Sequence, residues 1–378
     1  MSGFKTSHTG SLPRPEYLLD LMFARESGEQ VDEAALDDAV ERATAEIVAR
    51  QKQAGLTIIN DGEMSKPSYA TYIKHRLSGF GGEAGQYAFQ DLEDFPGAKA
   101  QVFGNKGRAK RSAPACTAPI EVIDMDAPRI DAERLVRLAA QGEEGAHETF
   151  MSAASPGVTA LFFPNQYYAS DEDYVFALAE GLRHEYETIA HAGITLQVDC
   201  PDLAMGRHVQ FTDLSLEEFR KRIGMNIAAL NHALQNIPAD QCRMHLCWGN
   251  YPGPHHCDVD LAEIADIVWQ AKPQTVLVEG ANPRHAHEFA FFEDNPLPEG
   301  KVLCPGMIEP QSPYIEHPDL IAQRISRYAD LLGRERVMAV VDCGFSVHAG
   351  SNSLDPDVVW AKLGALAEGA AIASKRYW

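Results

Sequence analysis

Short apolar, β-branched runs recur along the chain, each ending in polar or reactive residues, and most are followed by a stretch with helical spacing. The runs are 56–61, 158–163, 194–199, 243–247, 275–279, 301–304 and 337–342, with 4–8 as a weaker eighth. Helical spacing covers 32–55, 171–192, 216–235 and 318–332. Ser215 with Glu218 three residues on reads as a capping box, and Gly55 and Gly333 stand where a C-terminal glycine ends a helix. Strand–helix alternation of this kind means a parallel sheet covered on both faces. About eight such units in 378 residues predict an α/β fold, a closed (β/α)8 TIM barrel forming one catalytic domain over 1–378. An open doubly wound sheet is the alternative, but no GxGxxG follows the first strand.

One stretch breaks the rhythm. Residues 78–150 carry Gly, Pro and charge with weak periodicity, and read as an inserted excursion between the second and third strands, a hairpin plus a helix at 131–144. It is placed to lid the barrel mouth or to make a subunit contact in a homo-oligomer.

Charge and composition narrow the partners. Lys plus Arg number 33 against 54 Asp plus Glu, a net charge of −21. Nucleic acid and anionic membrane surfaces would repel such a chain. No apolar run reaches the roughly 20 residues of a membrane span, and the first residues lack a signal-peptide core. The expectation is a cytoplasmic enzyme acting on small molecules. Seven cysteines, an odd number, argue for reduced thiols rather than a disulfide framework. Cys116, Cys242 and Cys304 read as small buried hydrophobes, and His255, His256 and Cys257 as a solvated loop.

In a (β/α)8 barrel the strand ends converge on one mouth. Here those ends carry Asp61, Glu63, Asp199, His245, Cys247, Glu279 and Cys343. His245 and Cys247, two apart on a strand, share a face. Imidazole, thiolate and carboxylate are zinc donors. On spacing alone the set is open: a metal site, a metal-free lyase or hydrolase using the strand-end carboxylates as acid and base, or a barrel that only binds a ligand or subunit.

The order His245-Leu246-Cys247, Val278-Glu279, Asp342-Cys343-Gly344 resembles the C-terminal catalytic barrel of cobalamin-independent methionine synthase. Gly10-Ser11-Leu12-Pro13-Arg14, Asp61-Gly62-Glu63, Val198-Asp199 with Pro201, and the loop from Gly306 to Pro313 match further pieces over residues 8 to about 350. The resemblance implies Zn2+ held by His245, Cys247, Glu279 and Cys343, which activates a homocysteine-like thiol for attack on a methyl or other alkyl donor. It implies that Ser11 holds the substrate carboxylate and that Glu63 and Asp199 meet its amine. Arg14, able to pair bidentately with a carboxylate or sulfonate, and Asn165 and Tyr167 are further candidate substrate contacts, with Gln311 and His348 as candidate catalytic groups; Gln166, Tyr168 and Asn250 are polar neighbours. The sequence also departs from the family. Gln311 stands where the family carries a catalytic His, Cys200 replaces a Glu, and Phe163 sits near an expected pterin-stacking Trp. These changes put folate in doubt as donor. A short relative, epoxyalkane:coenzyme M transferase, offers a second activity, thiol addition to an epoxide.

Overall fold

The computed structural model describes residues 3–84, 88–103, 114–142, 147–350 and 354–378. Seven parallel strands follow one another in chain order: Ile58–Ile59, Glu148–Ala154, Thr195–Asp199, Cys242–His245, Thr275–Val278, Val302–Ile308 and Val340–Val341. The N-terminal segment joins the two ends of this curl. Thr6 bridges Ala339 in parallel, Ala339 N–H donates to Lys5 O and Ile58 N–H to Thr6 O, each at 3.0 Å. The weak eighth run therefore lies between the last strand and the first, and the architecture is the expected barrel.

The barrel interior explains why such short strands suffice. Arg243 is fully buried below the mouth, with its guanidinium 3.5 Å from the Phe150 ring centroid and bonded to Gln197 Oε1, Ser7 Oγ and His8 O. One side chain thus ties three parts of the wall together, and a buried cation without those acceptors would be expensive.

The helices largely follow the sequence reading. Glu33–Gln53 begins at Asp32, whose carboxylate accepts from Ala34 and Ala35 N–H, and the Ser215–Glu218 capping box opens Leu216–Ala233. Glu16–Glu26 and the C-terminal Pro356–Tyr377 are helices the periodicity did not separate.

Two expectations are corrected. The run 158–163 is not a strand. Pro156–Phe162 is a helix, started by Ser155 Oγ accepting from Val158 N–H and by Pro156 at its first turn; its apolar side chains are buried on most sides, which hides the helical period. The third strand is Glu148–Ala154, whose start lies inside the span assigned to the insertion. The remaining insertion holds a hairpin, Phe80–Gly81 with Ala115–Cys116, the short helices Gln90–Glu93 and Pro96–Phe103, and the helix Ala127–Ala139. Among the described residues no helix is long and apolar enough to cross a membrane.

Candidate active site

A cavity of about 130 Å³ opens at the C-terminal ends of the strands. Three side chains at its floor come from two strand ends. His245 closes its strand, Cys247 follows two residues later, and Cys343 follows Val340–Val341. Their donor atoms all lie within 4.8 Å of one another, and all three residues are buried. Cys247 Sγ and Cys343 Sγ are 3.7 Å apart. That is too far for a disulfide, whose sulfurs sit about 2.05 Å apart. It matches the roughly 3.8 Å expected for two thiolates on one tetrahedral zinc with Zn–S bonds near 2.3 Å.

The electrostatics favour a cation here. The hydrogen bond with Cys343 lowers Cys247 to about 6, with His245 helping, against the cost of burial. Cys343 moves the other way, pushed well up by the same sulfur contact and by burial. Burial pulls His245 down, but Asp199 and Cys247 outweigh it and hold the imidazolium up at about 10. The protein alone therefore supports one thiolate, balanced by one proton on His245. A bound dication lets both sulfurs ionise and takes the place of that proton. Two thiols and an imidazole are a donor set that fits zinc.

The surrounding atoms hold these groups in place. Asp199 Oδ1 lies 3.3 Å from His245 Nδ1 and accepts from Gln197 Nε2 at 2.8 Å. Asp342, quoted in the sequence only as part of the Asp342-Cys343-Gly344 triplet, is the hub behind Cys343. Its Oδ1 accepts from Gly280 and Ala281 N–H, and its Oδ2 from the backbone and side-chain N–H of Asn282, at 2.8–2.9 Å. Gly344 is required by a close approach: a Cβ there would lie 2.1 Å from Ser11 Oγ. The Asp-Cys-Gly triplet thus packs onto the turn that carries Ser11.

Two carboxylates, Glu63 and Asp199, line the same cavity. Glu63 Oε1 accepts from Ser152 Oγ at 2.8 Å, while its buried Oε2 has no hydrogen-bond partner and lies 3.9 Å from Arg14 Nη2. Burial and the neighbouring Asp199 raise Glu63 to about 7. Glu63 is also a non-glycine residue at φ 61°, held by Asp61 Oδ1 on its N–H and by Arg14 on its carbonyl. A strained residue so pinned, with an unsatisfied carboxylate oxygen, is poised for a ligand cation.

Not every predicted residue reaches the cavity. Ser11, Glu63, Asp199, His245, Cys247, Cys343 and His348 line it. Arg14 does not. Its guanidinium donates to the carbonyls of Ser346, Glu63 and Lys66, so it fastens the floor and is unavailable to a sulfonate or carboxylate. Asn165 folds back on its own turn, accepting from Tyr167 and Tyr168 N–H, and Tyr167 is half exposed beside Tyr168. Gln311 sits one step behind the wall, 2.6 Å from Asn250 Oδ1. Glu279 lies outside the three-membered donor group. Trp248 N–H, Asn282 Nδ2 and Arg284 Nη2 occupy its carboxylate at 3.1, 2.7 and 2.8 Å. It therefore anchors the residue after Cys247. His255 is buried, with Nδ1 3.0 Å from Asp258, contrary to the solvated loop expected. The sequence reading missed the aromatic wall: Tyr69, Phe89, Phe162 and Tyr251. Nothing in the local pattern marks them, because Phe89 belongs to the insertion and Phe162 to the misread helix.

Exchanging Asp199 for Asn keeps the size but removes the acceptor that orients His245. Metal affinity is expected to fall about 10–100-fold, as for other lost partners of ligating histidines; titration against a chromophoric chelator measures it.

No family model matches the chain. It is 25% identical over 368 residues to a methionine synthase of Thermococcus kodakarensis, covering 97% of this chain and 92% of that protein. It is 26% identical over 361 residues to a methionine synthase of Pyrococcus abyssi, covering 95% and 89%. Its fold superposes on a B12-independent methionine synthase from Shewanella, solved in complex with selenomethionine, with a TM-score of 0.75, 17% identity and coverage of 100% and 99%.

Proposed function

We infer that this chain, a homologue of the methionine synthases over nearly its whole length, is a thiol methyltransferase whose substrate is an amino-acid thiol of the homocysteine type and whose metal is zinc. The observation that supports this most directly is the convergence of His245, Cys247 and Cys343 at the barrel mouth, in one cavity with Glu63 and Asp199. His245, Cys247 and Cys343 are the proposed ligands. Glu279 lies outside that donor group and joins it only if its carboxylate moves. When bound, zinc supplies the positive charge that lets a substrate thiol, with an ordinary pKa near 8.5, ionise at neutral pH.

The chain's own residues orient the substrate. Glu63 and Asp199 form an anionic pair suited to an ammonium group, and their mutual repulsion is relieved when it arrives. Ser11 and the turn it shares with Gly344 offer polar contacts at the same floor. The reading as an epoxide-opening coenzyme M transferase is not favoured, because no Lys or Arg lines the cavity among the described residues and Arg14 is committed to carbonyls. A metal-free lyase or hydrolase leaves the two thiols and His245 without a role.

Zinc analysis of the purified protein tests the reading; about one zinc per chain is expected, and active protein without metal would overturn it. Glu63 adds a signed prediction. Its pKa is raised when folded, so the folded state binds a proton that the unfolded state has lost. The associated stability is present below about 4.5 and is lost as the pH rises through about 7. Glu63→Gln is therefore expected to raise Tm at pH 8 relative to the parent while raising KM for the amino thiol. A thermal melt and a KM measurement read the two effects, and an unchanged KM would remove Glu63 from the amine site.

A further inference from the structure

The cavity has an aromatic part beside its metal-binding donors. Four aromatic side chains line it in two edge-to-face pairs. Tyr69 packs on Phe162 with ring centroids 6.0 Å apart at 85°, and Phe89 packs on Tyr251 at 4.7 Å and 61°. They come from separate parts of the chain, so the grouping is not an accident of one helix face. Among the described residues the lining has no Lys or Arg, while Glu63 and Asp199 bring negative charge to it. The chain as a whole is also strongly acidic, at −21.

Aromatic faces attract cations, and an aromatic cage is the usual receptor for methylated onium groups, whose diffuse charge needs no hydrogen-bond acceptor. Among the described residues the lining offers an anionic donor no Lys or Arg, and the zinc proposed there sits between the two sulfurs and His245. We propose that the methyl donor of this site is an onium ion, a sulfonium or quaternary ammonium compound, seated against Tyr69, Phe89, Phe162 and Tyr251. The proposal rests on the thiol methyltransferase reading.

The chemistry balances without a further reactant. The substrate thiolate's electron pair forms the new S–CH3 bond. The C–S or C–N bond of the onium breaks, and its electron pair stays on the departing sulfur or nitrogen. A neutral thioether or tertiary amine leaves, and no proton is transferred. One negative and one positive charge disappear, so a cavity that excludes water favours the transition state over the separated ions. A neutral amine donor would need a proton delivered to its leaving nitrogen. An onium donor needs no such proton, so Gln311, an amide engaged with Asn250, can stand where an acid would otherwise be required.

The test compares binding of trimethylsulfonium and tetramethylammonium with that of uncharged tert-butanol, by calorimetry or ligand-observed magnetic resonance, on zinc-loaded protein. The onium ions are expected to bind at least tenfold tighter, and Phe162→Leu and Tyr251→Leu should each erode that preference while leaving tert-butanol binding in place. Comparable affinity for charged and uncharged probes in the parent protein would overturn the proposal, whether or not the variants fold. So would methyl transfer to homocysteine from an anionic folate donor with none from a methylsulfonium donor. Zinc content and homocysteine binding are measured on the same sample. Their failure would count against the thiol reading, whereas their success with no onium preference would count against the cage alone.

Discussion

Cys343→Ser is expected to lose stoichiometric zinc and to lower methyl transfer at least about a thousandfold, which is ~4 kcal/mol of transition-state stabilisation. The donor group sets the size of the effect. Among the described residues, three side chains, His245, Cys247 and Cys343, bring their donor atoms within 4.8 Å of one another at the cavity floor. A serine hydroxyl is a harder and far less acidic donor than a thiol, so the variant leaves a two-ligand site. Glu279 does not compensate in place, because its carboxylate lies outside the donor group and is tethered there by three N–H donors. The fold should survive, since Ser is nearly isosteric with Cys and slightly smaller, so the buried position is not overpacked. Metal analysis together with a circular-dichroism melt separates this outcome from unfolding. A Cys343→Ser protein that keeps zinc and activity would remove Cys343 from the site.

Gly306→Ala is expected to have the largest effect on stability. A Cβ at Gly306 would lie 1.7 Å from Asp342 Oδ1 and 2.8 Å from Asp342 Cα. The carboxylate cannot swing aside cheaply, because it accepts from four N–H groups of residues 280–282. Either the strand Val302–Ile308 moves or the Asp342 hub breaks, and the expected loss is about 3 kcal/mol, the upper end for overpacking. Because Asp342 precedes Cys343, zinc affinity should fall as well. Gly364→Ala is the contrasting variant. Gly364 lies within the helix Pro356–Tyr377 with nothing within 4 Å of a new Cβ, so the change should stabilise by roughly 1 kcal/mol through helix propensity. Denaturant titration of both variants checks the pair; equal stabilities would show that the hub does not constrain the barrel.

The barrel was legible because strand ends and helix caps are local signals. Asp32, Ser215 and the run ending at Asp199 appear in the structure where they were read, and the run 243–247 covers a strand that ends at His245. The third strand was misplaced because 158–163 is apolar and β-branched, like a buried strand, while the true strand Glu148–Ala154 is rich in small residues. Burial on all sides erases periodicity, and the distinguishing mark was Ser155-Pro156, a helix start. The site divides along similar lines. Residue type and spacing find donors such as His245, Cys247 and Cys343, but they do not show which polar groups are already consumed. Arg14 spends its guanidinium on three carbonyls, and Asn165 spends its amide on its own turn. The aromatic wall needs residues from the insertion and from three other segments to meet, and only the tertiary arrangement shows that.

The central claim is that three protein donors hold zinc and leave room for a substrate thiol. Zinc-edge X-ray absorption, with and without homocysteine, tests it most directly. Two sulfur ligands and one imidazole are expected on the resting metal, and a third sulfur once homocysteine is added. A protein that binds no zinc, or a sulfur count unchanged by saturating homocysteine, would contradict it.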